Sequence, residues 1–220
     1  MTKVLLISMI LVLGFGANAL AVSLTFNYDG VFSGSSPGGT APWLTAKFEQ
    51  VDADTVRLTM STAGLIGSEF VDGKKAGWYF NFDDAEDVEA LRFTFVSGYE
   101  ADVLDVQEND FKADGDGYYD IAFAWKDPNF IAGQTAVYLI DYALGLSIDD
   151  FNFKSSPGGG EGVYESAARV QGIAGGLSGW VYPSGGGVPG NGEVPEPGTI
   201  VLLGLGLFGL GLLGKRNFTK

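Results

Sequence analysis

The sequence predicts an all-β protein, an antiparallel β-sandwich or jelly roll, with an apolar helix at each end of the chain. Apolar and polar residues alternate over many short segments, as in residues 22–28 and 56–60, which is the period of a half-buried strand. Turns rich in Gly, Asp, Asn and Pro separate these segments. Many short strands without long helical stretches favour two packed antiparallel sheets.

Ten segments carry the strand pattern, and together they define one domain over residues 22–182. They are residues 22–28, 43–51, 56–60, 77–82, 91–95, 119–125, 135–142, 148–153, 163–172 and 178–182. A helical turn is expected only over residues 83–90. A domain of about 160 residues is long enough for one proper core. The Gly- and Pro-rich segment 183–193 is predicted to be a flexible linker.

Residues 1–21 have the three parts of a secretory signal peptide. Met1–Lys3 are positively charged, Val4–Phe15 are apolar, and small residues follow at a cleavage site ending in Ala19 or in Ala21. The mature chain is therefore expected to start at Leu20 or Val22 after cleavage by signal peptidase.

Residues 194–220 form a second tripartite segment. Its parts are the motif Val194, Pro195, Glu196 and Pro197, the uncharged run 199–214, and the basic pair Lys215 and Arg216. A helix over this run would be about 24 Å long, shorter than the roughly 30 Å hydrocarbon core of a bilayer. The positive-inside rule keeps the basic pair in the cytoplasm, so the chain before Pro195 lies outside that membrane. An ordinary single-pass anchor is the alternative interpretation.

This tail resembles the PEP-CTERM sorting signal. The resemblance implies recognition by the exosortase, a membrane transpeptidase, and removal of the tail from a precursor that is anchored transiently in the inner membrane. The basic cluster is interrupted after Arg216 by Asn217, Phe218 and Thr219, which departs from the family pattern.

The body is also similar to a group of exported PEP-CTERM proteins that share one β-rich domain. The similar segments are residues 68–83, 111–125, 151–173 and 178–180. That domain has no established ligand or activity, so the resemblance concerns the fold and the export route. It implies a mature protein at the cell envelope, the cell surface or the biofilm matrix of a cell that makes exopolysaccharide.

Composition excludes several kinds of partner and chemistry. Four of the 13 basic residues and none of the 27 acidic residues lie within residues 1–21 and 199–220. The exported part, residues 22–198, therefore has nine basic residues against 27 acidic residues and a net charge of −18. Such a body does not bind nucleic acid through general electrostatics. The chain has no Cys and no His, which removes disulfides, Cys-His and Ser-His-Asp catalysis, and nearly all zinc sites.

The segment 114–120 resembles a tight calcium loop, in which alternate carboxylates and a backbone carbonyl bind a hard cation. Its acidic residues are Asp114, Asp116 and Asp120. The position of the first ligand is Lys112, a cation, although Asp110 is close enough in sequence to replace it. The competing interpretation is an acidic hairpin turn whose glycines supply positive φ angles. No other cofactor is expected.

The acidic residues between positions 83 and 89 are candidates for a catalytic pair. Two carboxylates at a suitable separation perform glycoside hydrolysis, and a β-sandwich is a scaffold for that chemistry. Sequence spacing does not give the separation, and a solvated acidic loop is the favoured interpretation.

Aromatic residues suggest a third kind of site, a sugar platform. Trp43 follows Pro42 and Trp180 follows Gly179, so both rings are expected to face solvent, whereas Trp125 shares a strand face with core residues and is expected to be buried. The sequence therefore predicts a non-enzymatic structural or interaction protein of the envelope or matrix. A carbohydrate-binding module for exopolysaccharide is the alternative, and a glycosidase-type enzyme is third.

Overall fold

The domain consists of antiparallel strands and two short 3-10 turns. The computed structural model describes residues 21–73, 77–114, 116–159 and 162–192. The strands are β1 (Ala21–Gly34), β2 (Leu44–Gln50), β3 (Thr55–Ser61), β4 (Phe70–Val71), β5 (Trp78–Phe80), β6 (Arg92–Gly98), β7 (Val103–Lys112), β8 (Gly117–Ala124), β9 (Thr135–Asp141), β10 (Ser156–Pro157), β11 (Ser166–Ile173) and β12 (Leu177–Gly192). The 3-10 turns are Val88–Ala90, within the predicted helical turn, and Ile148–Phe151.

The first and last strands pair with each other in the middle of one twelve-stranded sheet. On the β1 side the order continues through β2, β3 and β9 to β6. On the β12 side it continues through β11 and β5 to β8, with β10 and β7 on β8 and β4 on β11. The sheet curls into a half-barrel.

The predicted all-β antiparallel class is confirmed, but the strands form one curled sheet instead of two separate ones. The reason is the length of the central strands, 14 residues in β1 and 16 residues in β12. Each is long enough to hydrogen-bond along both edges and to join the two halves. Alternation in a sequence shows which face is buried and does not show which strands pair.

Residues 183–192, predicted as a linker, are the second half of β12. They pair with the beginning of β1, in a register that runs from Ala21 opposite Gly192 to Phe26 opposite Gly187. Gly and Pro are rare in strand interiors, which is why composition favoured a linker here. The terminal position of the segment and its pairing to an apolar β1 outweigh that low propensity.

Two further segments differ from the prediction. Residues 148–153 were expected to be a strand, but Ser147 caps a 3-10 turn: its backbone N–H donates to Asp150 Oδ2 at 2.8 Å. Strand β7 was not predicted, because its exposed face is acidic and acidic residues are depleted in strands. It lies along β8 with alternate residues in solvent, so these charges remain hydrated.

Aromatic rings fill the concave side of the sheet. Trp125 stacks on Phe130 with ring centroids 4.1 Å apart, and Phe48 stacks on Phe151 at 4.4 Å. Tyr28, fully buried, accepts a hydrogen bond from Trp78 Nε1 and shares one with the Ser166 hydroxyl. This core holds the cysteine-free domain by packing and by buried hydrogen bonds such as those of Tyr28.

The two terminal apolar segments cannot be compared with the structure. The predicted signal helix within residues 1–21 and the apolar run 199–214 lie outside the described residues, apart from Ala21, the first residue of β1. Within the described ranges, no helix combines the length and the apolar character needed to cross a membrane.

Trp125→Ala is expected to lower the free energy of unfolding by about 3 to 5 kcal/mol, because it removes a fully buried ring and leaves a cavity beside Phe130. Leu144→Ala, at a side chain that is 82% exposed, is the control and should change it by less than about 0.5 kcal/mol. Urea unfolding of the mature protein measures both values. Equal effects of the two substitutions would contradict the assigned core.

Candidate ligand site on the outer face

A second aromatic cluster lies on the outer face of the sheet, separate from the main core. We call it the aromatic row. Its rings come from five strands or loops that are distant in sequence: Phe32, Tyr79, Phe111, Tyr164, Trp180 and Tyr182. Small side chains, including Ala122 and Ala167, lie among these rings and allow them to approach the sheet closely.

Neighbouring rings contact each other in a line that crosses the strands. Tyr79 lies between Phe111 and Trp180, with centroid distances of 6.0 Å and 5.7 Å. Trp180 continues to Phe32 at 6.0 Å, and Phe32 stacks on Tyr164 at 5.2 Å with an interplanar angle of 29°. Each such contact adds about 0.5 to 1.5 kcal/mol beyond area burial, so the row is pre-ordered.

The expected exposure of Trp43 and Trp180 is wrong. Trp43 is only 8% exposed and belongs to the main core. Trp180 is only 5% exposed and is a buried member of the aromatic row. Turn-forming neighbours predict the path of the backbone, and they do not determine the direction of a side chain. Trp125, expected to be buried, is fully buried.

Three half-exposed rings lie together at one end of the row, at Phe32, Tyr164 and Tyr182, and a fourth, Phe111, lies at the other end. Tyr164 and Tyr182 have centroids 3.9 Å apart. Tyr182 lies opposite Gly30, and a Cβ at Gly30 would come within 2.3 Å of the tyrosine ring. The absence of a side chain at Gly30 therefore makes room for this ring, and no local sequence pattern predicts the pairing.

A small polar depression adjoins the row at Trp180. It has a volume of about 90 Å³ and is lined by Ser33, Gly34, Asp114, Arg169, Ser178, Gly179 and Trp180. Strand register builds it, since Trp180 pairs with Ser33 on one side and with Arg169 on the other. Directly opposed residues share a face of the sheet, so the three side chains lie side by side.

Charges of both signs line the depression. Asp114 accepts a hydrogen bond from the Ser33 hydroxyl. Arg169 lies 3.5 Å from buried Asp72 and 3.4 Å from the Ser178 hydroxyl, which fixes the guanidinium while leaving about a third of the side chain exposed. A carboxylate acceptor, a guanidinium donor, hydroxyls and an indole ring are together suited to a hydroxyl-rich ligand.

The four acidic residues of the proposed calcium loop do not converge. Asp110 is exposed, Asp114 bonds Ser33, and Asp116 accepts from the Tyr119 hydroxyl. Asp120 accepts the Phe82 N–H at 2.9 Å and the Asn109 N–H at 2.8 Å. Among the described residues, which exclude Gly115, no group of three acidic side chains is placed to hold a metal ion. Lys112 instead donates to the Gly158 carbonyl at 2.9 Å.

Burial raises the pKa of two of these carboxyls. Asp116 is 2% exposed, and desolvation raises its pKa above the ordinary 3.8, while the hydrogen bond from Tyr119 opposes that effect. Its Oδ1 has no hydrogen-bond partner in the described part of the chain. Desolvation likewise raises the pKa of Asp120, against the effect of two backbone N–H donors.

The acidic residues between positions 83 and 89 are used in local structure. Asp83 accepts the Ala85 N–H, Asp87 caps the 3-10 turn through Glu89 N–H, and Glu86 accepts from the Tyr142 hydroxyl. The space that Asp83, Asp84 and Glu86 share with Asp120 is only about 10 Å³. A sugar ring does not fit there.

Most residues of the two predicted processing signals lie outside the described residues. These are Ala19, the motif Val194, Pro195, Glu196 and Pro197, and the basic pair Lys215 and Arg216. The comparison with protein families matches the PEP-CTERM protein-sorting motif at residues 193–216. The chain carries a PEP-CTERM sorting signal. The motif implies an exported protein that is processed by exosortase from a membrane-anchored precursor.

Neither the comparison with curated proteins nor the comparison with solved structures gives a match. The sorting motif covers only the end of the chain, so it indicates that the protein is exported and identifies no ligand of the β domain. The sequence predicts Asp114 as part of a calcium site and Trp180 as part of a sugar platform. The register of β1, β11 and β12 brings them together and adds Arg169.

Asp116→Asn tests the pKa of the buried carboxyl. Because its folded pKa is raised, the folded state binds more protons, and the free energy of unfolding falls as pH rises from 3.8 through the folded pKa. The variant should therefore gain stability relative to wild type over that interval. Thermal melts across the same pH range measure the difference. Asp110→Asn, at an exposed site of the same hairpin, is the control, and identical behaviour of both variants would contradict the assignment.

Proposed function

We propose that the mature protein is a non-enzymatic structural or interaction component of the cell envelope or the biofilm matrix. The observation that carries this proposal is the sorting motif at residues 193–216, which implies export. The body adds supporting features: a net charge of −18 on the exported part, and a domain held by packing without disulfides. Such a domain keeps its fold in oxidising and reducing surroundings alike.

Carbohydrate binding is the second function, and the outer face favours it. The half-exposed rings of the aromatic row provide apolar surface for the CH faces of a sugar, and the depression beside Trp180 provides Asp114 and Arg169 for its hydroxyls. The depression, at about 90 Å³, accommodates one edge of a saccharide residue rather than a whole ring. The ligand is then an exopolysaccharide chain lying across the face.

A glycosidase is the third function, and the arrangement of carboxylates lends it little support. Cleavage requires two carboxyl groups on either side of a bound glycosidic bond. The acidic residues near Asp83 cap local turns, and Asp114 and Arg169 lie at the surface of a shallow depression. A binding role needs only the surface that these residues provide.

The sorting signal is tested by the triple substitution Pro195→Ala, Glu196→Ala and Pro197→Ala. The altered precursor should stay in the inner membrane, because the processing enzyme no longer meets an extended motif next to the bilayer. Wild-type protein from cells with the exosortase should lack residues 199–220. Intact mass and cell fractionation measure both, and a full-length tail on released wild-type protein would contradict processing.

Sugar binding is tested by retention of the mature protein on exopolysaccharide from the same cells at low salt. Asp114→Ala should reduce retention with little change in melting temperature, since its side chain is exposed. Tyr164→Ala should also reduce retention, and it should lower the melting temperature as well because it removes the ring contacts with Phe32 and Tyr182. Tyr99→Ala, at an exposed ring away from the aromatic row, is the control. If wild type is not retained, the carbohydrate-binding function is excluded and the structural role remains.

A further inference from the structure

The last six pairs between β1 and β12 form a distinct unit, which we call the terminal ladder. It runs from Ala21 opposite Gly192 to Phe26 opposite Gly187. The next pair is Tyr28 with Pro183. Between it and the ladder, a register shift places one residue of β1 opposite three residues of β12. The three are residues 184–186, and Gly186 has φ +64. This bulge separates the ladder from the rest of the strand pair.

The end of β12 can leave the sheet without disturbing β1. Residues 23–28 of β1 pair on their other edge with β2, in a register from Ser23 opposite Glu49 to Tyr28 opposite Leu44. Opening the ladder therefore breaks the hydrogen bonds along one edge of β1 and keeps those along the other edge. The bulge at residues 184–186 provides the hinge, because glycine there adopts positive φ without strain.

The ladder is also weakly held. Pro189, opposite Leu24, has no N–H to donate, and Gly187 and Gly190 have no side chains to pack. Val188 is 49% exposed. One side-chain bond spans the ladder among the described residues, from the Ser23 hydroxyl to the Gly190 carbonyl at 3.1 Å. Local opening free energies are smallest where few apolar contacts are buried, so this is a low-stability end of the sheet.

The sorting motif begins immediately after this ladder. The matched residues start at position 193, and the last paired residue is Gly192. A single residue, at position 193, therefore separates the ladder from Val194 in the sequence.

We infer that the terminal ladder must open before the membrane protease can cleave the C-terminal signal. Enzymes that cut or transfer peptides bind the substrate as an extended strand through its backbone groups. Backbone groups paired with β1 are not available to such a cleft. In the step itself one peptide bond within residues 193–216 breaks, its acyl group passes to water or an amine, and the tail leaves with a new amino terminus.

This inference goes beyond sorting itself and beyond the proposed function. The folded domain determines how fast its own tail is removed, because the first strand of the domain competes with the protease for the same segment. The partner is defined by chemistry: a membrane enzyme with an open, strand-binding cleft that accepts the residues just before Val194.

The test is to lock the ladder with a disulfide in the full-length precursor in cells that carry the exosortase. Thr25 and Val188 are directly opposed and share the outward face, so Thr25→Cys with Val188→Cys places two thiols within reach of each other. The chain has no native cysteine, so no other pairing competes. Lys47→Cys with Thr59→Cys, an opposed pair of β2 and β3, is the matched control.

The locked precursor should persist in the membrane, its mature form should be lost, and dithiothreitol should restore processing, whereas the control pair should be processed like wild type. Gly187→Val tests the opposite direction, because a Cβ there would lie within 2.6 Å of Leu24 Cδ1 and Asn152 Oδ1, and this crowding disfavours the closed ladder. It should speed the appearance of the mature form. Processing of the disulfide-linked precursor at the wild-type rate, or no gain in Gly187→Val, would overturn the inference.

Discussion

The pairing of the first strand with the last is the constraint on which the rest of the structure depends. β1 and β12 lie in the middle of the sheet, and each half of the sheet is attached through one of them. The contact joins residues about as far apart in sequence as the domain allows, from Ala21 to Gly192. Closing so long a loop is slow and costs chain entropy, so the sheet is complete only when the end of the chain has arrived.

That constraint connects the fold with export. The sorting motif directly follows the strand that completes the sheet, so the segments for folding and for sorting are adjacent in the chain. The domain compensates for the absence of disulfides with an aromatic core on the concave side and a second aromatic cluster on the outer face. The outer cluster stabilises the half of the sheet that contains β5, β8, β11 and β12.

The acidic composition is distributed unevenly over this structure. Many carboxylates lie on exposed strands and turns, where they keep the protein soluble and discourage contact between copies. Asp72, Asp116 and Asp120 are instead buried: Asp72 pairs with Arg169, Asp116 accepts from the Tyr119 hydroxyl, and Asp120 accepts the Phe82 N–H. The segment that resembled a calcium loop is thus part of the support of the domain, with Lys112 fixed on the Gly158 carbonyl.

The sequence by itself determined the all-β class, the burial of Trp125, the position of most strands and the sorting signal, because these depend on local alternation and local motifs. Tertiary structure decided what depends on partners distant in the chain. Pairing with β1 made a strand of residues 183–192, and packing buried Trp43 and Trp180. The site that unites Asp114, Arg169 and Trp180 exists only through the register of three strands, which no local pattern encodes.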